Sequence, residues 1–431
     1  MKRVGVITTT MCLALGLCFS VSTAHAASKA KLSNKRMSLR LGETKTLKMK
    51  NSSGTVKWSV SSGKKKITLK SKKKTSVKVV GKKKGTAKIK AKVAGKTYTC
   101  KVNVSSYKMP KAKEVKALKA LIKAQKKKGA DVSSKPEGWE YEWDKDGHLS
   151  EICWDESKLS GTLDLTAFTS LDTLECGENK LTGLKLNKKL KHLYCEDNKL
   201  KSLDVAGCKN LETLYVDGNQ LQTLKLGTLT KLKRLSCESN QLTSLDVSNC
   251  PNLNSLICLK NQLTKLDVSK NTKLELLACF ENKLSELSLE NNPLLYGIYC
   301  EDNNLTKLDL QKNELIEYLY CDNNQITDLK FGKCNKLLRA SLSKNKLTSL
   351  DISTCPRLAV LECDDNQLSE LNLAANPRLA GLTCLRNPLK SLDLSRNLLM
   401  TELYCNKDLN VTGYPGMRGE AHTENWASGL Y

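Results

Sequence analysis

Eighteen cysteines and four histidines are the side chains of this 431-residue chain best able to hold a metal or act as nucleophiles, and their spacing argues against both uses. Cys176, Cys195, Cys237, Cys258, Cys279, Cys300, Cys321, Cys363, Cys384 and Cys405 recur at one position of a repeating unit, as a small buried apolar residue would. Thiols facing inward are inert. Zinc needs CxxC-like clusters, and none occurs. His148, His192 and His422 have no Cys or Ser partner that the sequence places beside them, and no phosphate loop or dinucleotide fingerprint appears. Asp144-Lys145-Asp146-Gly147 lacks the Gly and Glu spacing of a calcium loop and reads as a tight hairpin turn. Acids do recur in columns, but acids on a repeating surface are usually a solvated face. The expectation is a protein with no catalytic residue, no metal and no cofactor.

The unit that positions these residues reads LxxLxCxxNxLxxLDVxxNxx and returns every 21 residues from Leu190 to Met400 without a slip. A 19-residue copy begins at Leu171, and partial copies flank both ends. Such regularity means stacked coils, about 11 of them complete, because each turn must bury its apolar face on the last. In LxxLxCxxN the apolar residues point inward from a short strand that pairs with the next coil. The Asn that follows (Asn198, Asn219, Asn240, Asn261 and onward) sits where the chain bends, and its amide can satisfy backbone groups that a buried bend would strand. LxxLDV reads as a second extended segment rather than a helix.

On these residues, the stretch from about 149 to 410 resembles the leucine-rich-repeat family, in the short 21-residue bacterial form with Cys at the third consensus position, as in internalin-type surface proteins. The resemblance implies a curved solenoid, a parallel sheet on its concave side and recognition of a protein. Outward positions can then be read in columns. The residue after the Cys is acidic in many coils, as at Glu238, Glu301 and Asp322, but Leu259 and Phe280 interrupt the run. With Ile257 and Leu276 they predict an exposed apolar patch rimmed by Tyr299, Tyr318 and Tyr320. An apolar centre with tyrosines around it suits an interface.

The rest of the chain is organised around that solenoid. Lys2 and Arg3, an apolar run from Val4 to Val21 and Ala24-His25-Ala26 form a secretory leader over residues 1–26. The formal charge of +27 is uneven: residues 27–130 hold 34 Lys/Arg against Glu43 and Glu114, whereas the residues beyond 130 sum to −7. Residues 27–105 read as seven short strands, Met37 to Leu41, Thr46 to Met49, Val56 to Val60, Ile67 to Leu69, Ser76 to Val80, Thr86 to Val93 and Tyr98 to Val104, a spacing that fits a sandwich. Leu41-Gly42-Glu43-Thr44, Val56-Lys57-Trp58-Ser59 and Gly85-Thr86-Ala87-Lys88-Ile89 resemble bacterial group 2 Ig-like domains, which implies a spacer or adhesion module. A lone Cys100 leaves Trp58 and the aliphatics to carry its core. Residues 106–148 contain a basic amphipathic helix, Lys111 to Lys128, with Val115, Leu118, Leu121 and Ile122 on one face, and then Trp139, Tyr141 and Trp143 alternating like a strand. This segment reads as the N-terminal cap of the solenoid, with a linker or a membrane-surface helix as the alternatives, and residues 411–431 as a tail.

The expected class is mainly β: a leucine-rich-repeat solenoid with a parallel sheet on its concave face, preceded by a small Ig-like β-sandwich. The expected function is recognition or adhesion by a secreted, cell-wall or cell-surface protein. Its partner would be a protein on a host or neighbouring cell, with Ile257, Leu259, Leu276, Phe280, Tyr299, Tyr318, Tyr320, Glu238, Glu301 and Asp322 as the contact residues. Two alternatives stand beside it: a glycan-binding module, and a structural spacer held on the wall by its basic domain. The lysines fit an anionic cell-wall polymer or plain solvation of edge strands. Nucleic acid is a poor choice for a secreted chain, and no span remains after leader cleavage.

Overall fold

The computed structural model describes residues 30–415, apart from 41, 53, 106–109 and 137, together with the backbone of 422–423. The expected leader and most of the expected tail lie outside these residues. Two compact units result, the first closing with residues 132–153 and the second built from 128–131 and everything from Trp154 onward. Among the described residues no helix is long and apolar enough to cross a membrane.

The first unit begins with two four-stranded sheets over one core. One sheet runs in the order Lys31–Leu32, Thr44–Lys50, Ser76–Gly81, Ile67–Lys70, and the other Arg36–Arg40, Lys96–Ser105, Gly85–Val93, Lys57–Ser62. The period-two pattern produces this directly: in Gly85–Val93 the residues Ala87, Ile89, Ala91 and Val93 point inward, while the intervening lysines point out. Trp58 and a fully buried Cys100 join that core, and no disulfide is needed. Seven strands lie where the alternation predicts them. The two-residue strand Lys31–Leu32 was too short to read.

The helix Ala112–Lys127 follows Pro110 and carries Glu114 in its first turn and Lys126 and Lys127 in its last, each sign complementing the helix dipole. Leu118 and Ile122 are buried as expected, but Val115 and Leu121 are only half covered. Glu114 is buried too, because it acts as an anchor: it accepts the Leu149 N–H at 2.7 Å and lies 2.8 Å from His148 Nδ1. It thereby holds the hairpin of Tyr141–Trp143 with Leu149–Cys153. The hairpin turn is closed by Asp144, whose Oδ1 accepts from the amides of Asp146 and His148 at 2.8 and 2.9 Å. Trp139, expected to begin the strand, instead stands 47% exposed before it.

The second unit is the solenoid. Strands of three residues, four in the last, stack in strict parallel register from Thr173–Glu175 and His192–Tyr194 through Ser255–Ile257 and Leu276–Ala278 to Gly381–Thr383 and Glu402–Cys405. The second extended segment also pairs with its neighbours in places, for instance Lys307–Leu310 with Asp328–Phe331. The ladder cysteines and the consensus leucines are almost all fully buried. Burying one such side chain is worth about 1.5–3 kcal/mol, so each added coil brings a large apolar gain.

Two asparagine columns hold the bends, and they work differently. Asn261 donates from Nδ2 to the carbonyls of Cys237, Cys258 and Leu259 at 2.9–3.1 Å and accepts the Leu242 N–H at 3.0 Å. The same set recurs at Asn282 and Asn303. In the second column, Asn271 donates to Val247 O and Cys250 O at 3.0 and 2.9 Å, while its Oδ1 is buried with no partner.

The residue before each first-column Asn adopts a left-handed backbone, at Glu178, Asp197, Ser239, Lys260, Glu281, Asp302, Asn323, Lys344, Asp365 and Arg386, with φ between 50 and 55°. Only Gly218 marks this with a glycine. A side chain there costs about 1 kcal/mol, and the asparagine network holds the bend regardless. Lys260→Gly is therefore expected to leave stability level or raise it by up to ~1 kcal/mol in urea unfolding. A clear loss would show that the Lys260 side chain, 3.5 Å from Glu281, carries more than the strain.

Candidate partner-binding face

The outward side of the parallel sheet is a continuous surface on which the repeat leaves residues free to vary. Strands about 4.8 Å apart bring equivalent side chains of neighbouring coils into contact. In the inner coils an outward residue therefore has a neighbour 21 positions before it and another 21 after it, and those two decide how much of it meets solvent.

This corrects the expected exposed patch. Ile257, Leu259 and Leu276 are 6, 2 and 8% exposed, and Tyr299 and Tyr320 are 3 and 5%. They form a second, outer apolar layer rather than an open surface. Gly297 shows how tightly it packs: a Cβ there would lie 3.0 Å from Leu276 Cδ1 and 3.1 Å from Tyr299 Cε2, so the tyrosine ring fills the space that a side chain would take. Tyr299 and Tyr320 then stack, 5.1 Å apart and 11° from parallel. Arg339 lies over Tyr320 with its guanidinium carbon 5.8 Å from the ring centroid, pinned at 2.5 Å by Glu362. Of the ten expected contact residues, Phe280, Tyr318, Glu238, Glu301 and Asp322 remain partly accessible. Leu259→Asp would test the core rather than binding: it should cost about 3 kcal/mol or more, since a buried unpaired charge replaces a packed side chain. Urea unfolding with a midpoint equal to that of the wild type would contradict the burial.

The acidic column is not a uniform solvated face either. Asp217 Oδ1 accepts from Ser236 Oγ and, at 2.8 Å, from the Glu238 N–H. Asp322 does the same with Ser341 Oγ at 2.7 Å and Ser343 N at 2.8 Å, and Asp364 divides the pair, Oδ2 accepting from Thr383 Oγ1 and Oδ1 from Leu385 N. Each aspartate thus closes the end of the next strand, and its partner in sequence is a Ser or Thr 19 residues later. Burial raises the Asp217 carboxyl to about 7 and that of Asp322 to about 6, against hydrogen bonds that favour the charged form. Burial also pushes Glu301 well above the usual carboxylate range, and its Oε2 has no partner.

A second aromatic cluster, absent from the expected contacts, occupies the early coils. Tyr194 and Tyr215 meet edge to face at 5.4 Å, and His192 stacks 6.5 Å from Tyr194. All three are partly accessible, beside exposed Arg234 and half-buried Glu196. Its signal in the sequence is a pair of tyrosines in one column, Tyr194 and Tyr215, less conspicuous than the run of apolar residues in the middle coils. On the flank, a hollow of about 530 Å³ crosses four coils between Glu212 and Leu294, but its lysines are already engaged, Lys233 with Glu212 at 2.9 Å and Lys273 with Asn252 at 2.6 Å.

The family profile described as Leucine Rich repeats (2 copies) matches residues 188–228, within the early coils of the stack. Among solved structures, the chain is similar to the functional domain of InlJ from Listeria monocytogenes, described as including a cysteine ladder, at 30% identity and a TM-score of 0.52. That match covers 60% of this chain and 58% of the InlJ domain, so the chain spans less than two thirds of it. A leucine-rich-repeat protein of Leptospira interrogans matches at 20% identity and a TM-score of 0.52 (62% of this chain, 80% of that one). The internalin InlF of Listeria monocytogenes str. 4b F2365 matches at 19% and 0.50, over 70% of this chain and 84% of that one. The latter two likenesses concern the fold. No curated protein matches the chain.

Proposed function

We propose that this chain is a recognition protein that binds a protein partner through the outward, concave side of its parallel sheet. The observation that carries this reading is the contrast between the two sides of each strand. Inward positions repeat Leu, Cys and Leu, whereas the outward position before the Cys runs Tyr194, Tyr215, Ser236, Ile257, Ala278, Tyr299. A spacer needs no such variation. Half-buried aromatics, the His192–Tyr194–Tyr215 cluster and the separate Phe280 and Tyr318, share this face with Glu196, Glu238, Glu301 and Asp322. Semi-exposed aromatics in an acidic setting favour a partner with a basic surface, the aromatics supplying the anchors and the acids steering its approach.

The two-sheet module of residues 30–105 is read as a bacterial Ig-like domain, and its exposed lysines as a means of staying on an anionic cell-wall polymer. Together with the leader this makes the protein secreted or surface-held. Catalysis is no part of the proposal, because burial raises the ladder thiols, Cys258 and Cys300 among them, far from the reactive thiolate form.

The test is equilibrium binding of the full chain to panels of purified surface proteins and, separately, of glycans, against a Phe280→Asp, Tyr318→Asp variant whose circular dichroism matches the wild type. Saturable, salt-sensitive protein binding that the variant weakens by about tenfold or more is the expected result. Binding to glycans alone would reassign the ligand class. Protein binding untouched by these changes and by Tyr194→Ala would remove the sheet face from the site.

A further inference from the structure

The ten-cysteine ladder lies inside the sheet, but four other cysteines stand elsewhere, in the second asparagine column. That column runs Asn187, Cys208, Leu229, Cys250, Asn271, Asn292, Asn313, Cys334, Cys355, Asn376 and Asn397. Side chains here point along the solenoid axis toward the preceding coil. Asn292 Nδ2 reaches Asn271 O at 2.9 Å, Asn376 Nδ2 reaches Cys355 O at 2.9 Å, and Cys208 Sγ reaches Asn187 O at 3.3 Å. Cys334 and Cys355 are the one place where two thiols occupy consecutive positions of the column.

Their backbones match. Leu337 N donates to Cys334 O at 3.2 Å, and Leu358 N donates to Cys355 O at 3.1 Å, so the same turn is stacked on itself. The direction of the column aims the Cys355 side chain at Cys334 in the coil before it, as Cys208 Sγ is aimed at Asn187 O. Coils stacked about 4.8 Å apart fall inside the Cα separation of about 4.4–6.8 Å that a disulfide spans. Both thiols are fully buried, yet the residues beside them in sequence, Lys333, Asn335, Thr354 and Pro356, are exposed, so they lie one layer beneath the surface.

We propose that Cys334 and Cys355 are a redox modification site, two thiols placed to be joined by a disulfide that staples consecutive coils. In the simplest order Cys355 attacks first, as its thiolate. Its thiolate attacks one sulfur of a small-molecule disulfide during local opening of the turn and releases one thiol. Cys334 then attacks the mixed disulfide and releases the second. Two cysteine thiols are oxidised to one disulfide, the reagent is reduced to two thiols, and the thiol protons pass to the leaving thiolates.

The ladder cysteines differ in that they point into the apolar core. Cys208 and Cys250 have Leu229 between them and cannot meet.

The test is titration of the full, folded chain with oxidised glutathione, followed by alkylation and peptide mapping. The expected first disulfide joins the peptides of Cys334 and Cys355, with the circular dichroism unchanged and the thermal midpoint raised by a few degrees until a reductant is added. Because alanine could leave a void, the control is Cys334→Asn with Cys355→Asn, which places in both coils the residue that the column uses on either side. This variant should fold and lose the redox-dependent shift. A shift of the same size in the double variant, a first disulfide mapped to the ladder, or no cross-link in folded protein would each overturn the proposal.

Discussion

Asn261→Ala is expected to destabilise the solenoid by about 3–5 kcal/mol, and Asn271→Ala by less than half as much. Both residues are buried amides ten positions apart that look equivalent in the repeat. Removing Asn261 takes away the acceptor for Leu242 N–H, which lies in a coil interior with no water to replace it, and the donor for three carbonyls. A buried donor left unpaired costs about 1–3 kcal/mol, and the orphaned carbonyls and the void add to that. Asn271 supports two carbonyls and no N–H, and its own Oδ1 is already unpaired. The chain itself records the difference. Cys208, Leu229, Cys250, Cys334 and Cys355 stand in for Asn in the second column, whereas the first column is Asn in every coil from Asn179 to Asn387. Urea unfolding of the two variants checks this, and equal losses would mean that the acceptor role of Asn261 has been overvalued. Because coils couple only to their neighbours, the Asn261→Ala transition should also broaden.

The second large effect is on pH. Between about pH 5 and 8 the solenoid is expected to lose stability as the pH rises. Asp217 titrates near 7 in the folded chain and at the ordinary carboxylate value when unfolded, so the folded state holds the extra proton in that interval. A raised carboxyl contributes stability that is complete below the unfolded value and is lost as the pH climbs through the folded one. Asp322, near 6, adds in the same direction. The magnitude is of order 2–4 kcal/mol across the interval, at about 1.4 kcal/mol for each pKa unit. The aspartates of the second extended segment have the opposite sign. Asp246 and Asp351 are held low by Ser248 and Ser353, so their contribution disappears only as the pH falls through the acid range. Asp217→Asn isolates the effect, because both hydrogen bonds fall on one oxygen that the amide retains. The variant should be more stable than the wild type at pH 8 and should show a shallower slope. Parallel slopes in the two proteins would show that Asp217 is ionised throughout.

The repeat register, the inward cysteines, the bend asparagines and the strands of the basic module were all legible in the sequence. Each is a local consequence of period: alternate residues must face the core, and a coil that buries its bend needs an amide there. What the sequence alone could not decide is whatever depends on residues a whole coil away. Ile257, Leu259 and Leu276 carry the outward signature of an interface centre, and only the stacking of Ala278, Phe280 and Tyr299 beside them turns them into an outer core. Asp217 and Glu238 look alike in their column, yet one closes a strand end because a serine happens to stand 19 residues later. The left-handed bend at Lys260 has no glycine to announce it, because the asparagine next to it holds the turn through hydrogen bonds rather than through freedom at the bend itself. Burial is a property of neighbours across the ladder, and those neighbours are set by the fold.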